Sequence, residues 1–341
     1  MSLATVASKF ADESAAWEYV ELLRWDGTPA CPRCDSLNVR YVNPMGNDLR
    51  STRTGTKTFR RVWKCRTCKR QFSVLIGTIF EGTKIPLRKW LMAIYFMSAG
   101  KNGVAALELQ RHLGITYKSA WFMVHRIREA MANVGTSGMF GTIVADETWV
   151  GGKPINRHAN RKVEPVRVTS RPNQSSDKTP VMTMINPDTD TARSTVVPNV
   201  MGATLRKVIS DHVNVATTHL MTDEALSYKS IGSEFASHRT VNHFKGEYVR
   251  GEVTTNSAES FFSQMKRSID GTHHGVSSEH LQRYAREFDF RYGHRKVSDG
   301  ERATSMVLRG NGASLSYRNL IANGPVAMGT RPRPVGRPGP R

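Results

Sequence analysis

The chain has 341 residues, 39% of them hydrophobic, and its 49 basic residues against 29 acidic ones give a net charge of +20. This length predicts two or three domains with real cores, and basic residues spread along the whole chain predict a nucleic-acid partner rather than an ordinary enzyme with a basic tail. No apolar run approaches the ~18 residues of a membrane span, and the N-terminus lacks the apolar core of a secretory signal, so we expect a cytoplasmic, nucleoid-associated protein.

Apolar residues recur at helical spacing in several segments, and short apolar runs beside turn residues predict strands between them. The predicted helices cover residues 10–25, 87–99, 103–112, 116–132, 202–213, 255–268 and 277–292. The predicted strands cover residues 141–150, 180–185, 192–198, 218–223 and 239–243. The Gly-, Pro- and Arg-rich tail from Asn323 onward is predicted to be disordered.

Four cysteines form two C-x2-C hooks, Cys31 with Cys34 and Cys65 with Cys68, with 30 residues between the hooks. Each hook brings two thiolates to one side of a tight turn, and two hooks supply the tetrahedral four-sulfur shell that Zn²⁺ favours. Two disulfides or a redox pair are the alternative, which a reducing cytoplasm disfavours. We therefore predict a structural Zn²⁺ without an open coordination position, in a knuckle whose basic surroundings face phosphate.

The helix predicted over residues 116–132 carries basic residues beside an apolar stripe. Thr116 is placed to cap its N-terminus, and Lys118 and Arg126 lie along it. The DNA-reading helix of a helix-turn-helix motif has this pattern, and so does a plain helical linker with a solvated basic face. We favour DNA reading and predict that Lys118 and Arg126 contact DNA.

Three carboxylates occupy positions suited to a metal centre. Asp146 follows an apolar strand, Asp223 ends another, and Glu259 lies early in a helix. Strand residues alternate between faces, so only one of Asp146 and Glu147 can face a shared ligand, and Asp146 is the better candidate. Three acids that meet repel one another unless a divalent cation is present, and oxygen ligands suit Mg²⁺ or Mn²⁺. Each acid considered alone is as readily a surface or structural residue.

A basic segment follows the first acid. Gly151 and Gly152 permit a sharp turn out of the strand, which makes Lys153 a candidate phosphate ligand in DNA binding. The run over residues 153–178 is either an insertion that grips DNA or a disordered loop.

Three blocks, ADETWVGGK, TDEALSYKSIG and NSAESFFSQMKRSIDGTHHGVSSEHLQRYAREFDFRYGHR, resemble the ISXO-like insertion-sequence transposases. The last block is highly specific. The resemblance covers most of the chain before the C-terminal tail, and these DDE-type enzymes have an N-terminal zinc ribbon. It implies an α/β fold with a ribonuclease H-like catalytic domain, a mixed sheet flanked by helices, preceded by a zinc ribbon and a helix-turn-helix-like segment.

The resemblance also implies roles for single residues. Asp146, Asp223 and Glu259 become the catalytic acids, which hold two Mg²⁺ or Mn²⁺ ions about 4 Å apart. Lys266 lies on the same helix face as Glu259 and matches a basic residue that could hold a phosphate or flank the scissile bond. A solvated surface lysine is the alternative for Lys266, and Asn256 matches the start of the motif or is only a helix cap.

The expected function is a DNA transposase that binds the inverted repeats of an insertion sequence, cleaves at their ends and joins the freed 3′-OH to target DNA. Double-stranded DNA is the expected partner, and synchronous joining of two ends requires at least a dimer. A DNA-binding regulator without catalysis and a nuclease that does not join are the alternatives. The expected domains are the N-terminal helix and zinc ribbon (1–80), the helical DNA-binding segment (81–135), the catalytic domain (136–300) and a basic C-terminal region (301–341).

Overall fold

The computed structural model describes residues 3–43, 48–51, 55, 57–132, 138–151, 178–229, 231–241, 249–250 and 253–322. The chain forms two compact units, residues 1–133 with 297–341 and residues 134–296. Lys153, nearly all of the basic run 153–178 and the tail from Asn323 onward lie outside the described residues. Within the described part, every helix is too short or too polar to cross a membrane.

The first unit begins with two helices, α1 (Leu3–Lys9) and α2 (Glu13–Trp25). The second confirms the helix predicted over residues 10–25, and it starts where the Asp12 side chain accepts a hydrogen bond from the backbone N–H of Ala15 at 2.8 Å. Its Glu21 accepts hydrogen bonds from Arg61 Nε and Trp63 Nε1, both at 3.0 Å. These two bonds attach the cysteine-bearing segment to the face of α2.

Five short strands lie in the segment that contains the cysteine hooks. They are β1 (Val39–Tyr41), β2 (Leu49–Ser51), β3 (Lys57–Phe59), β4 (Trp63–Cys65) and β5 (Gln71–Phe72). The first, fourth and fifth form an antiparallel sheet in the order β1-β4-β5, and β2 pairs with β3 in a separate hairpin inside the long spacer. Buried Cys31, Cys65 and Phe72 form a small core on which Trp25 and Trp63 pack.

Three helices complete the middle of this unit, α3 (Leu87–Ala99), α4 (Ala106–Leu113) and α5 (Tyr117–Ala132), and they confirm the three helices predicted there. Gly114 follows α4 in the left-handed conformation with φ of 56°, which a residue with a side chain rarely adopts. Thr116 Oγ1 then accepts a hydrogen bond from the backbone N–H of Ser119 at 3.3 Å, so Thr116 caps α5 as predicted.

The second unit contains a five-stranded mixed sheet. Its strands are β6 (Met139–Val150), β7 (Thr179–Asn186), β8 (Thr191–Val196), β9 (Val213–Thr222) and β10 (Ser237–Thr240), in the spatial order β10-β9-β6-β7-β8. β7 runs antiparallel to both of its neighbours, β6 and β8, whereas β6, β9 and β10 run parallel. This topology confirms the predicted α/β, ribonuclease H-like fold class.

Helices cover both faces of this sheet. They are α6 (Gly202–Ser210), α7 (Leu226–Lys229), α8 (Asn256–Gly271) and α9 (Ser278–Gly293), and a small hairpin of β11 (Val249–Arg250) and β12 (Val253–Thr254) precedes α8. Val144 belongs to the core with α8 and α9, and its neighbour Ile143 belongs to the core with α6 and Tyr228. The alternation of buried residues along β6 therefore divides the sheet into two apolar faces.

Side chains from α9 satisfy the outer edge of the sheet at β8. Ser194 donates its backbone N–H to Asp289 at 2.9 Å, and Val196 donates its N–H to Gln282 at 2.8 Å. Gln282 Nε2 in turn donates to the carbonyl of Ser194 at 2.8 Å. An edge strand with free hydrogen-bonding groups invites pairing with another chain, and α9 removes that opportunity over these residues.

After the second unit the chain returns to the first through α10 (Asp299–Arg309) and α11 (Tyr317–Ile321). Ser298 and Glu301 form a capping box at the start of α10. Arg302 Nη1 donates to the carbonyl of Ser98 at 2.6 Å, and the hydroxyls of Tyr19 and Thr304 lie 2.9 Å apart. These contacts attach α10 to α3 and α2.

Candidate active site

The central parallel strand pair brings two acids to one edge of the sheet. Val144 on β6 is directly opposite Met221 on β9. Asp146 and Asp223 each lie two residues further along the same direction, and neighbouring strands are about 4.8 Å apart. Both side chains also belong to the face that carries α8, because Val144 and Met221 lie in that core. The two carboxylates are therefore adjacent just beyond the last pair between β6 and β9, while β6 itself continues along β7 to Val150.

Each of these carboxylates has one oxygen held by a nearby backbone N–H. Asp146 Oδ1 accepts from Glu147 at 2.7 Å, and Asp223 Oδ1 accepts from Ala225 at 3.0 Å. The bond to Ala225 forms a side-chain turn that directs the chain away from the strand end. Within the described part of the chain, the second oxygen of each acid accepts no hydrogen bond.

The third acid comes from the helix that covers this face. Glu259 lies in the first turn of α8, which begins after Thr255, and its side chain is exposed. The Thr255 hydroxyl is 3.4 Å from Glu259 Oε1. Ala258 and Phe262 pack into the core beneath α8, which fixes how this helix lies against β6. The helix thus supplies an exposed carboxylate above the strand ends.

The three carboxylates act on one another electrostatically. Burial, together with the charges of Asp223 and Glu259, raises the pKa of Asp146 to about 7, although the backbone N–H of Glu147 and the charge of Lys266 oppose this shift. Such influence requires all four groups to share one neighbourhood. A divalent cation would relieve this repulsion, and carboxylate oxygens are the ligands that Mg²⁺ and Mn²⁺ prefer, so the residues fit such an ion.

Two lysines lie at the border of this acidic cluster. Lys266 is exposed on α8, and burial of part of its side chain together with the charge of Lys178 lowers its pKa. Lys178 immediately precedes β7, whose first residue Thr179 pairs with Val150 of β6. Sequence reasoning missed Lys178 because it lies at the end of a long basic run in which no single lysine is distinguished.

Glu147 lies on the opposite face of β6 from Asp146, as strand alternation predicts. Its carboxyl accepts a hydrogen bond from the hydroxyl of Tyr228, which is fully buried in the other core. Burial raises the pKa of Glu147 to about 8, and the bond from Tyr228 opposes this effect. Tyr228 therefore anchors β6 directly behind Asp146, a role that no pattern in the sequence indicated.

The four cysteines come together as predicted. In the described part of the chain they are the one group of three or more potential metal ligands whose donor atoms all lie within 4.8 Å of one another. The three carboxylates are spaced more widely than this. The Sγ atoms of Cys31 and Cys68 are 3.7 Å apart, as are those of Cys34 and Cys65. Tetrahedral zinc with bonds of about 2.3 Å separates its sulfurs by about 3.8 Å, so this cluster fits a Zn²⁺ ion.

A local hydrogen bond favours the thiolate form of Cys65. The backbone N–H of Cys68 lies 3.4 Å from Cys65 Sγ and lowers the pKa of that thiol to about 6. A deprotonated sulfur is the form that binds zinc. Arg33, Arg66, Lys69 and Arg70 are exposed around the hooks.

The two basic residues predicted on α5 differ in their surroundings. Lys118 is exposed in the first turn, and its Nζ lies 4.6 Å from the ring of Tyr317. Arg126 is only 5% exposed, and its Nη2 donates to the carbonyl of Glu81 at 2.7 Å while the guanidinium lies over Trp90. This corrects the expected role of Arg126, because its charged group is used in packing and is not presented to a phosphate. Lys153, the third predicted DNA contact, lies outside the described residues.

The mixed sheet, in which two acids meet just beyond the central parallel pairing of β6 with β9, defines a domain of the ribonuclease H-like class. Comparison with protein families finds two matches: residues 138–293 match the ISXO2-like transposase domain, and residues 11–71 match the transposase zinc-ribbon domain. Both matches agree with the family that the motifs of this chain resemble.

One curated relative is the uncharacterized protein in transposable element ISH50 of Halobacterium salinarum. It is 28% identical over 289 residues, which cover 83% of this chain and 91% of that protein. Among solved structures, a pre-cleavage Mos1 transpososome matches 62% of this chain and 75% of the other chain, with 13% identity and a TM-score of 0.25. A TM-score of 0.25 is too low to define a shared fold, and the fold class of this chain is instead defined by its strand order.

Proposed function

We propose that this transposase binds the inverted repeats of its insertion sequence, hydrolyses the DNA at the element ends and joins each freed 3′-OH to target DNA. The observation that supports the proposal is the register of β6 and β9, which brings Asp146 and Asp223 next to each other just beyond the last pair of these strands, on the face covered by α8. Glu259 and Lys266 on that helix share the charge environment of Asp146.

Asp146, Asp223 and Glu259 are the residues that would hold Mg²⁺ or Mn²⁺, in line with their oxygen donors and mutual repulsion. The bound cations would supply neutralisation of charge that develops on the phosphodiester. In hydrolysis, water attacks phosphorus and the 3′-oxygen leaves as a hydroxyl. In joining, that hydroxyl attacks a target phosphate, and the target's own 3′-oxygen leaves.

The remaining side chains position the DNA. Lys266 and Lys178 place positive charge beside the acids, where they would hold phosphates that flank the scissile bond. The exposed first turn of α5 offers Tyr117 and Lys118 to DNA, and N-terminal residues of a recognition helix are the ones that contact base edges. The basic zinc ribbon adds phosphate contacts, and the net charge of +20 favours a polyanionic partner. Pairing of two element ends requires at least a dimer on DNA.

A cleavage assay tests the catalytic centre. The Asp146→Asn variant keeps the size and the Oδ1 acceptor of the side chain, so it should bind inverted-repeat DNA with unchanged affinity in a gel-shift titration. Cleavage of the same labelled ends in Mg²⁺ should fall by at least ~10³-fold, since metal-ion catalysis contributes several kcal/mol. Cleavage at wild-type rate by this variant would remove Asp146 from the mechanism.

Two results separate this function from its alternatives. Wild-type protein that binds the ends and cleaves in neither Mg²⁺ nor Mn²⁺ would be a DNA-binding regulator. Protein that cleaves, and yet gives no joined product from pre-cleaved ends with a free 3′-OH, would be a nuclease. Joined product from pre-cleaved ends, lost in Asp146→Asn, is the result expected of the transposase.

A further inference from the structure

A short hydrogen-bonded chain lies behind Asp223. Thr222, the last residue of β9, is fully buried, and its hydroxyl donates to the backbone carbonyl of Asp223 at 2.7 Å. Nε2 of His238, on the neighbouring strand β10, lies 2.9 Å from the same hydroxyl oxygen. The imidazole thus reaches the acid through one intervening side chain.

The direction of these bonds follows from the number of protons available. A threonine hydroxyl has one proton, and in Thr222 that proton is used on the carbonyl of Asp223. Its oxygen can then only accept, so Nε2 of His238 must carry a hydrogen and donate it. The two hydrogen bonds therefore run in one direction: His238 donates to Thr222, and Thr222 donates to the carbonyl of Asp223.

The fold leaves space for this imidazole by means of a glycine. A Cβ atom placed on Gly232 would lie 2.0 Å from Nδ1 of His238, far inside van der Waals contact. The ring is therefore confined between the 3-10 turn at Gly232–Glu234 and the end of β9. Such confinement fixes where Nε2 points.

We propose that His238, acting through Thr222, is a positioning residue that sets the backbone at Asp223 and thereby the direction of its carboxylate. The carbonyl of Asp223 is held on one side by Thr222, and Asp223 Oδ1 is held on the other by the N–H of Ala225. With both groups fixed, rotation of the Asp223 side chain is restricted, and so is the direction of Oδ2. The proposal rests on the function assigned above, since it concerns the same acid.

Metal binding without DNA tests this role. Glutamine places an amide nitrogen about as far along the side chain as Nε2, whereas the amide of asparagine is too short to reach Thr222. His238→Asn should weaken Mn²⁺ binding by ~10-fold, which is the lower end of the loss seen when groups that support metal ligands are removed. The Mn²⁺ affinity of His238→Gln should stay within about 2-fold of wild type. Mn²⁺ affinity is measured from loss of the free-ion EPR signal in zinc-loaded protein.

A substitution at Gly232 tests the same hydrogen bonds by displacing the imidazole of His238. Gly232→Ala should displace the imidazole and weaken Mn²⁺ binding as His238→Asn does. The double variant should bind Mn²⁺ no more weakly than the single variant with the lower affinity, because both substitutions remove the same interaction. His219→Asn is the matched control, since this exposed histidine on β9 bonds Ser237 and not the strand end. Its Mn²⁺ affinity should equal that of wild type.

The outcomes are distinct. Wild-type Mn²⁺ affinity in His238→Asn, together with lost affinity in Asp223→Asn, overturns the role of His238 and leaves the acidic centre intact. Equal losses in His238→Asn and His238→Gln, accompanied by equally lowered melting temperatures, reduce His238 to a structural residue and also overturn the proposal. Unchanged affinity in Asp223→Asn would instead show that the proposed acidic centre itself is wrong.

Discussion

Asp146 and Asp223 lie side by side because both follow, by two residues, the paired positions Val144 and Met221 on adjacent parallel strands. The sheet therefore forces two like charges together on a partly buried edge. Among the described residues, neither carboxylate forms a salt bridge. The arrangement favours cation binding at the expense of stability, a trade-off common at active sites.

Asp223→Asn is expected to stabilise the zinc-loaded protein in buffer without Mg²⁺ or Mn²⁺, while abolishing activity. Burial is the largest cause of the raised pKa of Asp146, and the charge of Asp223, which this substitution removes, adds to it. Asparagine keeps the Oδ1 acceptor for the N–H of Ala225. The gain should be up to ~1 kcal/mol in free energy of unfolding, measured by urea titration, and end cleavage should fall by at least ~10³-fold. Asp188→Asn, an exposed change in the β7–β8 turn, serves as control and should alter neither quantity. A destabilised Asp223→Asn protein would contradict the repulsion argument.

Tyr228→Phe should destabilise the second unit by ~1–3 kcal/mol, because the buried carboxyl of Glu147 loses its donor. Since burial raises the pKa of Glu147 to about 8, this side chain is largely neutral at pH 7. Glu147→Gln should therefore be tolerated to within ~1 kcal/mol at that pH, whereas Glu147→Ala also leaves a cavity and should cost more. Urea titration at pH 7 compares the three variants. Equal losses in Glu147→Gln and Glu147→Ala would argue against a neutral glutamic acid at this position.

Cys65→Ser should release zinc from the first unit. Purified wild-type protein is expected to contain about one Zn²⁺ per chain, in keeping with a four-sulfur shell, and the variant close to none, measured by inductively coupled plasma mass spectrometry. Binding to inverted-repeat DNA should fall with it, because the basic residues around the hooks lose their arrangement. Ser36→Ala, next to the first hook and not a ligand, should keep its zinc. Full zinc content in Cys65→Ser would exclude the four-cysteine site.

Lys118→Ala and Arg126→Ala should act on different properties. Lys118 is exposed, so its loss should weaken DNA binding and reduce the slope of log affinity against log salt concentration by about 1, with unchanged melting temperature. Arg126 is buried against Trp90 and bonded to Glu81, so its loss should lower the melting temperature first. Fluorescence anisotropy at several salt concentrations measures the slope. A salt slope altered by Arg126→Ala in fully folded protein would restore that residue as a DNA contact.

Asp289 should make stability fall as pH rises. Burial raises the pKa of this carboxyl to about 7, although bonds from Ser194 oppose the shift. The folded chain then holds a proton that the unfolded chain releases above about pH 4, so the contribution is complete below that pH and is lost as pH rises through about 7. Urea midpoints between pH 5 and 8 should fall less in Asp289→Asn than in wild type. Parallel pH profiles for the two proteins would contradict a raised pKa.

Much of the secondary structure could be predicted because apolar periodicity directly reports which residues face a core. The three helices α3, α4 and α5 and the long strand β6 were expected close to their observed bounds. The zinc hooks could likewise be predicted, since two C-x2-C pairs need only a tight turn to present their sulfurs. Arg126 could not, because a basic residue on a helix has the same sequence pattern whether it faces solvent or packs over Trp90.

The sequence by itself determined the main helices and the five sheet strands of the second unit and the cysteine cluster, and it predicted the acids, because each depends on local spacing or on a motif that resembles a known family. Only the tertiary structure decided which groups support those acids. Tyr228 reaches Glu147 across 81 positions, and His238 reaches Thr222 across 16. Contacts of this kind are made by strand order and register, which side-chain periodicity within one segment does not encode.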